Sequence, residues 1–443
     1  MYLYTQIKEA MDIRRLERAL LDQQEELYTL RKRNFCHRPE EQLINMDSNL
    51  AQVVIGVRRS GKSTLCFNAL EEAKVTYAYV NFDDENLYDL AVDDMNDLLQ
   101  TLYSIYGDFT HLFLDEIQNI EGWHLFANRM LRKGVRLLLT GSNSHLLSGE
   151  LASHLTGRHH TIELLPFSFG DWCSCNGIPV APLTTKNMGL LMGAFDKYMR
   201  QGGFPELLAE GDRKGYVDSL FRNIITQDIQ RRFKIKYVDS LERLANHLLN
   251  ISPALLVKET LQKQFGFKSH HTLGNYLSYL EQTYLICKVC KYSAKSKERA
   301  VSEKAYAIDV ALMDKRENAF AGENLGWRLE TIVYLELRRR MRTAGEDIYY
   351  FSDGTAEADF VLCDGNRTTG VYQVTYDMED PKTRRREING ALVAARRTRC
   401  DNIYILTDHQ TETIQRDGVT VKVMPVWEWI VRDYRPITSD NSF

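Results

Sequence analysis

The chain has 443 residues, 44% of them hydrophobic and 10% aromatic, with 56 Lys and Arg against 60 Asp and Glu for a formal net charge of −4. Domains run to roughly 100–200 residues, so two to four are expected. The slight negative charge excludes a long-range pull on nucleic acid, so any such contact must come from local basic patches. No apolar run approaches the roughly 18 residues of a membrane span. Met1 to Tyr4 lack a signal-peptide core, so a cytoplasmic protein with no membrane partner is expected. The eight cysteines are scattered. Cys173 and Cys175, and Cys287 and Cys290, are close pairs without the second half of a zinc site, so reduced, mostly buried thiols are expected.

In residues 1–50, Ile13, Leu16, Leu20, Leu27 and Leu30 recur at helical spacing among many charges. This predicts an amphipathic helix that packs on the domain that follows, with Arg31, Lys32 and Arg33 as a solvated end.

Residues 51–165 alternate strand and helix, with strands predicted at 51–55, 75–82, 111–115, 135–140 and 160–165. Such alternation argues for a parallel sheet covered by helices, an α/β core. Between the first strand and a helix lies Gly56-Val57-Arg58-Arg59-Ser60-Gly61-Lys62-Ser63, followed by Thr64, a full G-x-x-x-x-G-K-S phosphate-binding loop. Its glycines let successive backbone N–H groups curl toward phosphate oxygens, and the helix N-terminus adds positive potential. Lys62 would reach the β- and γ-phosphates, and the Ser63 hydroxyl would sit on Mg²⁺. A nucleoside triphosphate ligand follows. The third strand ends in Asp115 and Glu116, placed to hold the Mg²⁺ shell and to orient the attacking water. The fourth strand leads into Gly141-Ser142-Asn143-Ser144. Asn143, with Ser142 close behind, is the candidate γ-phosphate sensor, or else one of them caps the next helix. Arg158 is a candidate arginine finger, in its own site or a neighbour's, or a surface arginine.

The phosphate loop, Leu114-Asp115-Glu116-Ile117-Gln118 and Leu139-Thr140-Gly141-Ser142-Asn143 resemble a family of predicted prokaryotic AAA+-superfamily ATPases. So do Leu165-Pro166-Phe167-Ser168-Phe169, Gly202-Gly203-Phe204-Pro205-Glu206, Gln227 to Arg232, Tyr276 to Leu280, Gln373 to Tyr376 and Thr383 to Glu387. The resemblance spans nearly the whole chain. It implies ATP rather than GTP as the ligand, ATP hydrolysis, and a second conserved region of undefined biochemical function. It supplies no substrate.

Residues 166–321 read as an irregular linker over 166–200, then a mainly helical region opened by the Gly202-Gly203-Phe204-Pro205 turn. Helices over 254–265 and 269–283, broken at Gly266 and followed by alternation over 284–292, resemble a winged helix. His271 and Asn275 on its second helix, and Lys288, Lys291, Lys295, Lys297 and Arg299 on its arm, are the candidate contacts to duplex DNA. Winged helices also serve as lids or adaptors, and that reading stays open.

Residues 322–443 carry a helix over 327–341 with Glu330, then strands bearing Asp359 and Gln373. The order resembles a restriction-endonuclease-like α+β fold, in which two acids hold Mg²⁺ and a lysine positions water. Glu330 and Asp359 fit, but Gln373 replaces the second acid and Thr375 stands where lysine should be. A degenerate site that does not cut DNA is therefore expected. Lys382, Arg384, Arg385, Arg386, Arg396, Arg397 and Arg399 could track a phosphate backbone or be solvated helix faces. The whole reads as an ATP-driven switch acting on DNA or on a DNA-bound partner. A chaperone-like or signalling ATPase that remodels a protein, and a nuclease gated by ATP, are the alternatives.

Overall fold

A computed structural model describes residues 12–32, 35–143, 155, 157–235, 238–293, 302–314, 324–341, 343, 345–416 and 418–435. They divide into two compact units. The first takes the described residues of 1–56 and 61–164, the second 57–60 and those of 165–436.

The first unit is built on five all-parallel strands, β1 (Ala51–Ile55), β2 (Tyr77–Asn81), β3 (His111–Asp115), β4 (Arg136–Gly141) and β5 (His159–Glu163), in the order β2-β3-β4-β1-β5. Every residue of β1 and β3 is buried, as expected of strands covered on both faces. The expected α/β parallel core is therefore present, with strand ends shifted by one or two residues. Helix α1 (Ile13–Arg31) buries Leu16, Ala19, Leu20, Gln23 and Leu27. Ile13, expected on that stripe, is 57% exposed, and Gln23 takes part through its amide instead. Gln23 Nε2 donates to the Asn81 carbonyl at 3.1 Å, and Asn81 N donates to Gln23 Oε1 at 2.9 Å. The buried amide thereby holds α1 against β2. Helices α2 (Lys62–Ala73), α3 (Met95–Tyr106) and α4 (Trp123–Arg132) follow β1, β2 and β3.

The second unit holds one nine-stranded mixed sheet, ordered β13-β14-β12-β11-β10-β9-β7-β8-β6. Its strands are β6 (Ala254–Leu255), β7 (Ile286–Lys291), β8 (Glu303–Ala307), β9 (Glu346–Ser352), β10 (Glu357–Asp364), β11 (Arg367–Val374), β12 (Ile403–Thr407), β13 (Glu412–Arg416) and β14 (Val419–Pro425). Residues on both sides of 321 contribute strands to it. Residues 166–200, expected as an irregular linker, instead carry α5 (Phe169–Cys175) and α6 (Thr185–Gln201). Ser168 and Asp171 form a capping box that starts the first, and Leu191, Ala194, Phe195 and Tyr198 give the second its buried face. Next come α7 (Arg213–Asn223), a π-helical turn at Ile224–Arg231, and α8 (Val238–Asn250). The helix expected over 254–265 begins only at Lys258, as α9 (Lys258–Phe265). Ala254 and Leu255 pair with Ala305 and Lys304 of β8, and this backbone pairing displaces the first helical turn. Helix α10 (His270–Gln282) is capped by Ser269, which accepts from Thr272 N. Strand β7 pairs with β8 on one edge and β9 on the other, so the arm is continuous with the large sheet.

Helix α11 (Leu325–Arg340) precedes β9, α12 (Pro381–Thr398) follows β11, and α13 (Val426–Asp433) follows β14. Side chains alternate faces along each strand. Val361, Val371, Ile403 and Ile405 meet Ile388, Ala391, Leu392 and Ala395 of α12. On the other face Tyr372 and Tyr404 stack at 5.3 Å, and Trp429 of α13 lies 5.8 Å from Tyr372.

Cys66, Cys173, Cys287, Cys290, Cys363 and Cys400 are free. No helix among the described residues is long and apolar enough to cross a membrane.

Phe113 of β3 is fully buried and packs edge-on to Phe67 at 5.1 Å and against Tyr79 at 5.2 Å. Phe113→Ala should cost the first unit about 3–5 kcal/mol, read as a lower urea midpoint for its unfolding transition. An unchanged midpoint would mean that the aromatic cluster does not carry this core.

Candidate functional site

The phosphate loop leaves β1 at Ile55 and enters α2 at Lys62. Gly61 caps α2 with φ at 95°, a conformation that glycine adopts without strain. Lys62 is almost fully buried, and it points at the tips of β3 and β4. Its Nζ lies 3.3 Å from Glu116 Oε1 and donates to Ser142 Oγ at 3.1 Å. Ser142 in turn donates through Oγ to the Glu116 carboxylate at 2.7 Å, and through its backbone N at 3.2 Å. Lysine, glutamate and serine thus close a triangle.

Next to it, Ser63 Oγ donates to Asp115 Oδ1 at 2.9 Å, and Tyr79 OH donates to Oδ2 at 3.2 Å. Thr140 also donates to Asp115, and its Oγ1 accepts from Glu116 N at 2.9 Å. Burial, and then the neighbouring Glu116 charge, push the Asp115 carboxyl up to about 6, against the hydrogen bonds from Thr140 and Ser63 and the charge of Lys62. Two carboxylates side by side in a closed site are costly unless a cation and donors meet them. Glu116 has φ at 52°, a left-handed backbone rare for this residue type. Such strain persists where surrounding structure enforces it, often at functional positions.

The structure therefore brings together Gly61, Lys62, Ser63, Asp115, Glu116 and Ser142. Asn143 is buried beside Ser142, at 2% exposure. Gly56 follows β1, with its N–H on the Gly141 carbonyl at 3.3 Å, and Thr64 lies in the first turn of α2. Arg158 is exposed at the start of β5, where its carbonyl accepts from Ala51 N. Arg58, Arg59 and Ser60 are counted in the second unit. There Arg58 pairs with Asp228 at 3.0 Å and Arg59 pairs with Glu206. Thr140 and Tyr79 were not singled out as site residues. Their signal is only positional, since Tyr79 lies two residues before the end of β2 and Thr140 next to last in β4.

In the second unit, His271 is exposed on α10 and Asn275 is half-buried one turn on, with 3.3 Å between their side-chain nitrogens. Lys288 is committed to Glu281 at 2.7 Å, and Lys291 is half-buried at the end of β7. Lys295, Lys297 and Arg299 lie outside the described residues.

The expected degenerate site gathers differently from its sequence pattern. Glu330 on α11, Asp359 on β10 and Gln373 on β11 line one cleft of about 1120 Å³. Thr375 also lines it, but turns its hydroxyl to the Asp377 carbonyl at 3.0 Å. Two residues absent from the expected set join them. Lys304 of β8 places Nζ 3.7 Å from Glu330 and 4.0 Å from Asp359. Glu387 of α12 accepts from Gln373 Nε2 at 2.6 Å. Tyr306 OH donates to Glu330 at 2.8 Å, and Val374 N donates to Asp359 at 2.8 Å. A lysine and a further acid thus lie beside the two expected acids. No sequence motif could have linked them, because Lys304 is 55 positions before Asp359 and on a different strand.

A family model described as an AAA domain matches residues 48–173, and another, described as a domain of unknown function, matches residues 192–321. The uncharacterized protein MJ1544 of Methanocaldococcus jannaschii is 31% identical over 405 residues, spanning 87% of this chain and 89% of its own. An uncharacterized protein of Haemophilus influenzae is 29% identical over 315 residues, 68% of this chain and 77% of its own. Among solved structures, the Thermotoga maritima RuvB Holliday junction branch migration motor is similar at 18% identity and a TM-score of 0.27, over 62% of this chain and 87% of that one. The Aeropyrum pernix ORC1 protein in complex with DNA is similar at 11% identity and a TM-score of 0.28, over 71% of this chain and 94% of that one. The chain belongs to the family of the M. jannaschii protein, and its residues 48–173 match the AAA domain.

Proposed function

We propose that the chain binds ATP with Mg²⁺ at the tips of β1, β3 and β4 and hydrolyses it. The observation that carries this is the triangle of Lys62, Glu116 and Ser142 beside Asp115 and Ser63. A phosphate at the loop competes with Glu116 for the Lys62 ammonium, since both are anions seeking one buried cation. Lys62 then anchors the β- and γ-phosphates, and Glu116 turns its carboxylate to an attacking water. Ser142 hydrogen-bonds both partners, so it reports which anion Lys62 holds; Asn143 beside it and Arg158 are the further candidates for sensing and charge stabilisation. The Ser63 hydroxyl and the Asp115 carboxylate are hard oxygen donors that fit Mg²⁺, and Ser63, Asp115 and Tyr79 already converge there. When bound, the ion neutralises charge developing on the phosphate oxygens. Gly56, Arg58, Arg59, Ser60, Gly61 and Thr64 complete the phosphate loop in this reading.

As the target of such a switch we favour duplex DNA, supported by His271 and Asn275 together on α10, with Lys291 the remaining described candidate of the arm. The ATP turnover rate with and without a short duplex tests this. Stimulation is expected, and indifference would favour remodelling of a protein partner.

Lys62→Ala should weaken ATP binding by about 10–100-fold, the equivalent of roughly 1.5–3 kcal/mol for a lost charged hydrogen bond, measured by titration of a fluorescent ATP analogue. Equal affinity would place the phosphates elsewhere. Glu116→Gln should keep that affinity and slow single-turnover hydrolysis by about 10²–10⁴-fold, the usual contribution of a positioned base. Hydrolysis at the parental rate would remove Glu116 from the water-activating role.

A further inference from the structure

The cleft between α11, β10, β11 and α12 combines an acidic floor with a basic rim. Its floor is Glu330 and Asp359, which are only 12% and 13% exposed at the side chain. Burial, and for Asp359 next the Glu330 charge, raises both carboxyls. Burial opposes the charged form of Lys304, yet Glu330 and Asp359 beside it hold its ammonium up. At 3.7 and 4.0 Å the ammonium is beyond ordinary hydrogen-bond reach. It offsets the charge of the two carboxylates without occupying all their lone pairs.

Gln373 supplies a second and independent sign of a ligand. It is 7% exposed, and its Nε2 is spent on Glu387. Its Oε1 has no hydrogen-bond partner among the described residues. A buried amide oxygen without a donor is costly, and it lines the same cleft as the two acids. Glu387 fixes which end of the amide is free, because its carboxylate can only accept. Arg386 Nε donates to the other Glu387 oxygen at 3.0 Å. Gly390 makes this arrangement possible. A Cβ there would sit 2.1 Å from the Glu357 carbonyl, so only glycine lets α12 lie close enough to bring Glu387 over β11. Lys382, Arg385, Arg386 and Arg416 stand exposed around the mouth.

We propose that this cleft is a divalent-cation-dependent phosphodiester hydrolysis site, in which Lys304 supplies the positive charge that Thr375 lacks, and Glu387 orients Gln373 in place of a second acid on β11. Among the described residues no three His, Cys, Asp or Glu side chains converge on a point that could hold a metal. Glu330, Asp359 and the Gln373 amide oxygen are instead the partial set of hard donors that Mg²⁺ takes when water and substrate oxygens complete its shell. The basic rim tracks the phosphodiester backbone. Water oxygen bonds to phosphorus as the bond from phosphorus to the leaving alcohol oxygen breaks. One water proton goes to solvent and the alkoxide takes one up, so a diester and water give a monoester and an alcohol. Lys304 stabilises the charge that grows on the phosphoryl oxygens. Glu387 and Gln373 are positioning residues. None of this depends on the ATPase reading, and the test uses no ATP.

The test has two readouts on the full-length protein. The first is Tb³⁺ luminescence, excited through Tyr306 and Trp327 and competed with Mg²⁺. Asp359→Asn and Glu330→Gln should weaken the sensitised signal at least tenfold, with thermal melts confirming a folded protein. Lys304→Met should tighten Tb³⁺ binding several-fold, because a competing positive charge is gone, an effect that loss of structure would not give. The second is cleavage of a 5′-labelled DNA oligonucleotide in Mg²⁺ or Mn²⁺. The parent should cut, and Asp359→Asn and Lys304→Met, purified in parallel, should lose at least 100-fold. Tb³⁺ binding that is unchanged in Asp359→Asn would overturn the cation site. Cation binding without parental cleavage would overturn the hydrolysis. Parental cleavage by Lys304→Met would overturn the role given to that lysine.

Discussion

Strand β4 lies between β1 and β3, and the first unit depends on that insertion. Parallel strands joined through helices end at the same edge of the sheet, and a crevice opens there where the order departs from the sequence. Here the order β2-β3-β4-β1-β5 puts Ile55, Asp115 and Gly141 at neighbouring strand ends. The loop after β1, the acids after β3 and the serine after β4 then share one small volume. Had β4 been an edge strand, Ser142 could not touch both Lys62 and Glu116. The left-handed backbone at Glu116 belongs to the same constraint. It re-aims the glutamate away from the line of β3, and the Thr140 hydroxyl holds the turned N–H in place.

Burying several charges together sets the second constraint. A carboxylate or ammonium taken from water alone is costly, and a pair repays that cost only with good geometry and additional hydrogen bonds. Both units solve this in the same way, with one lysine shared by acids from other elements and the remaining oxygens given hydroxyl or amide donors. In the first unit the donors are Ser63, Tyr79, Thr140 and Ser142. In the second they are Tyr306 and the Val374 N–H. Where the donors run out, as at Gln373 Oε1, the arrangement is poised for something else to bind.

The first unit was legible in the sequence because its signals are local. Gly56 to Ser63 is contiguous, and the strands before it and under Asp115 are apolar runs flanked by polar turns. The bounds of β1 and β3 follow directly from those runs. Residues 166–200 were misread because their prolines and aromatics suggest irregularity, whereas the Ser168 and Asp171 capping box is a short signal that starts a helix all the same. The start of α9 was misread for a different reason. Ala254 and Leu255 have no strand signal of their own, and only pairing with β8, some fifty residues later, makes them extended.

Lys304 and Glu387 show why the second cleft was the hardest part to read. A motif search looks for an acid and a lysine two positions apart on one strand, because alternation points both the same way. What the chemistry needs is a charge at a place, and another strand or a helix can deliver it equally well. Strand β8 delivers Lys304 because β7 and β8 extend the sheet that carries Asp359, and α12 delivers Glu387 because Gly390 lets it approach β10. Gln373 near the end of β11 and Thr375 just after it therefore do not by themselves exclude the proposed function. They move the burden onto residues whose importance depends on the register of a hairpin and the closeness of one helix. That burden also explains why the cleft keeps Glu330 and Asp359 buried with an ammonium between them, a costly arrangement for a scaffold that served only as a surface.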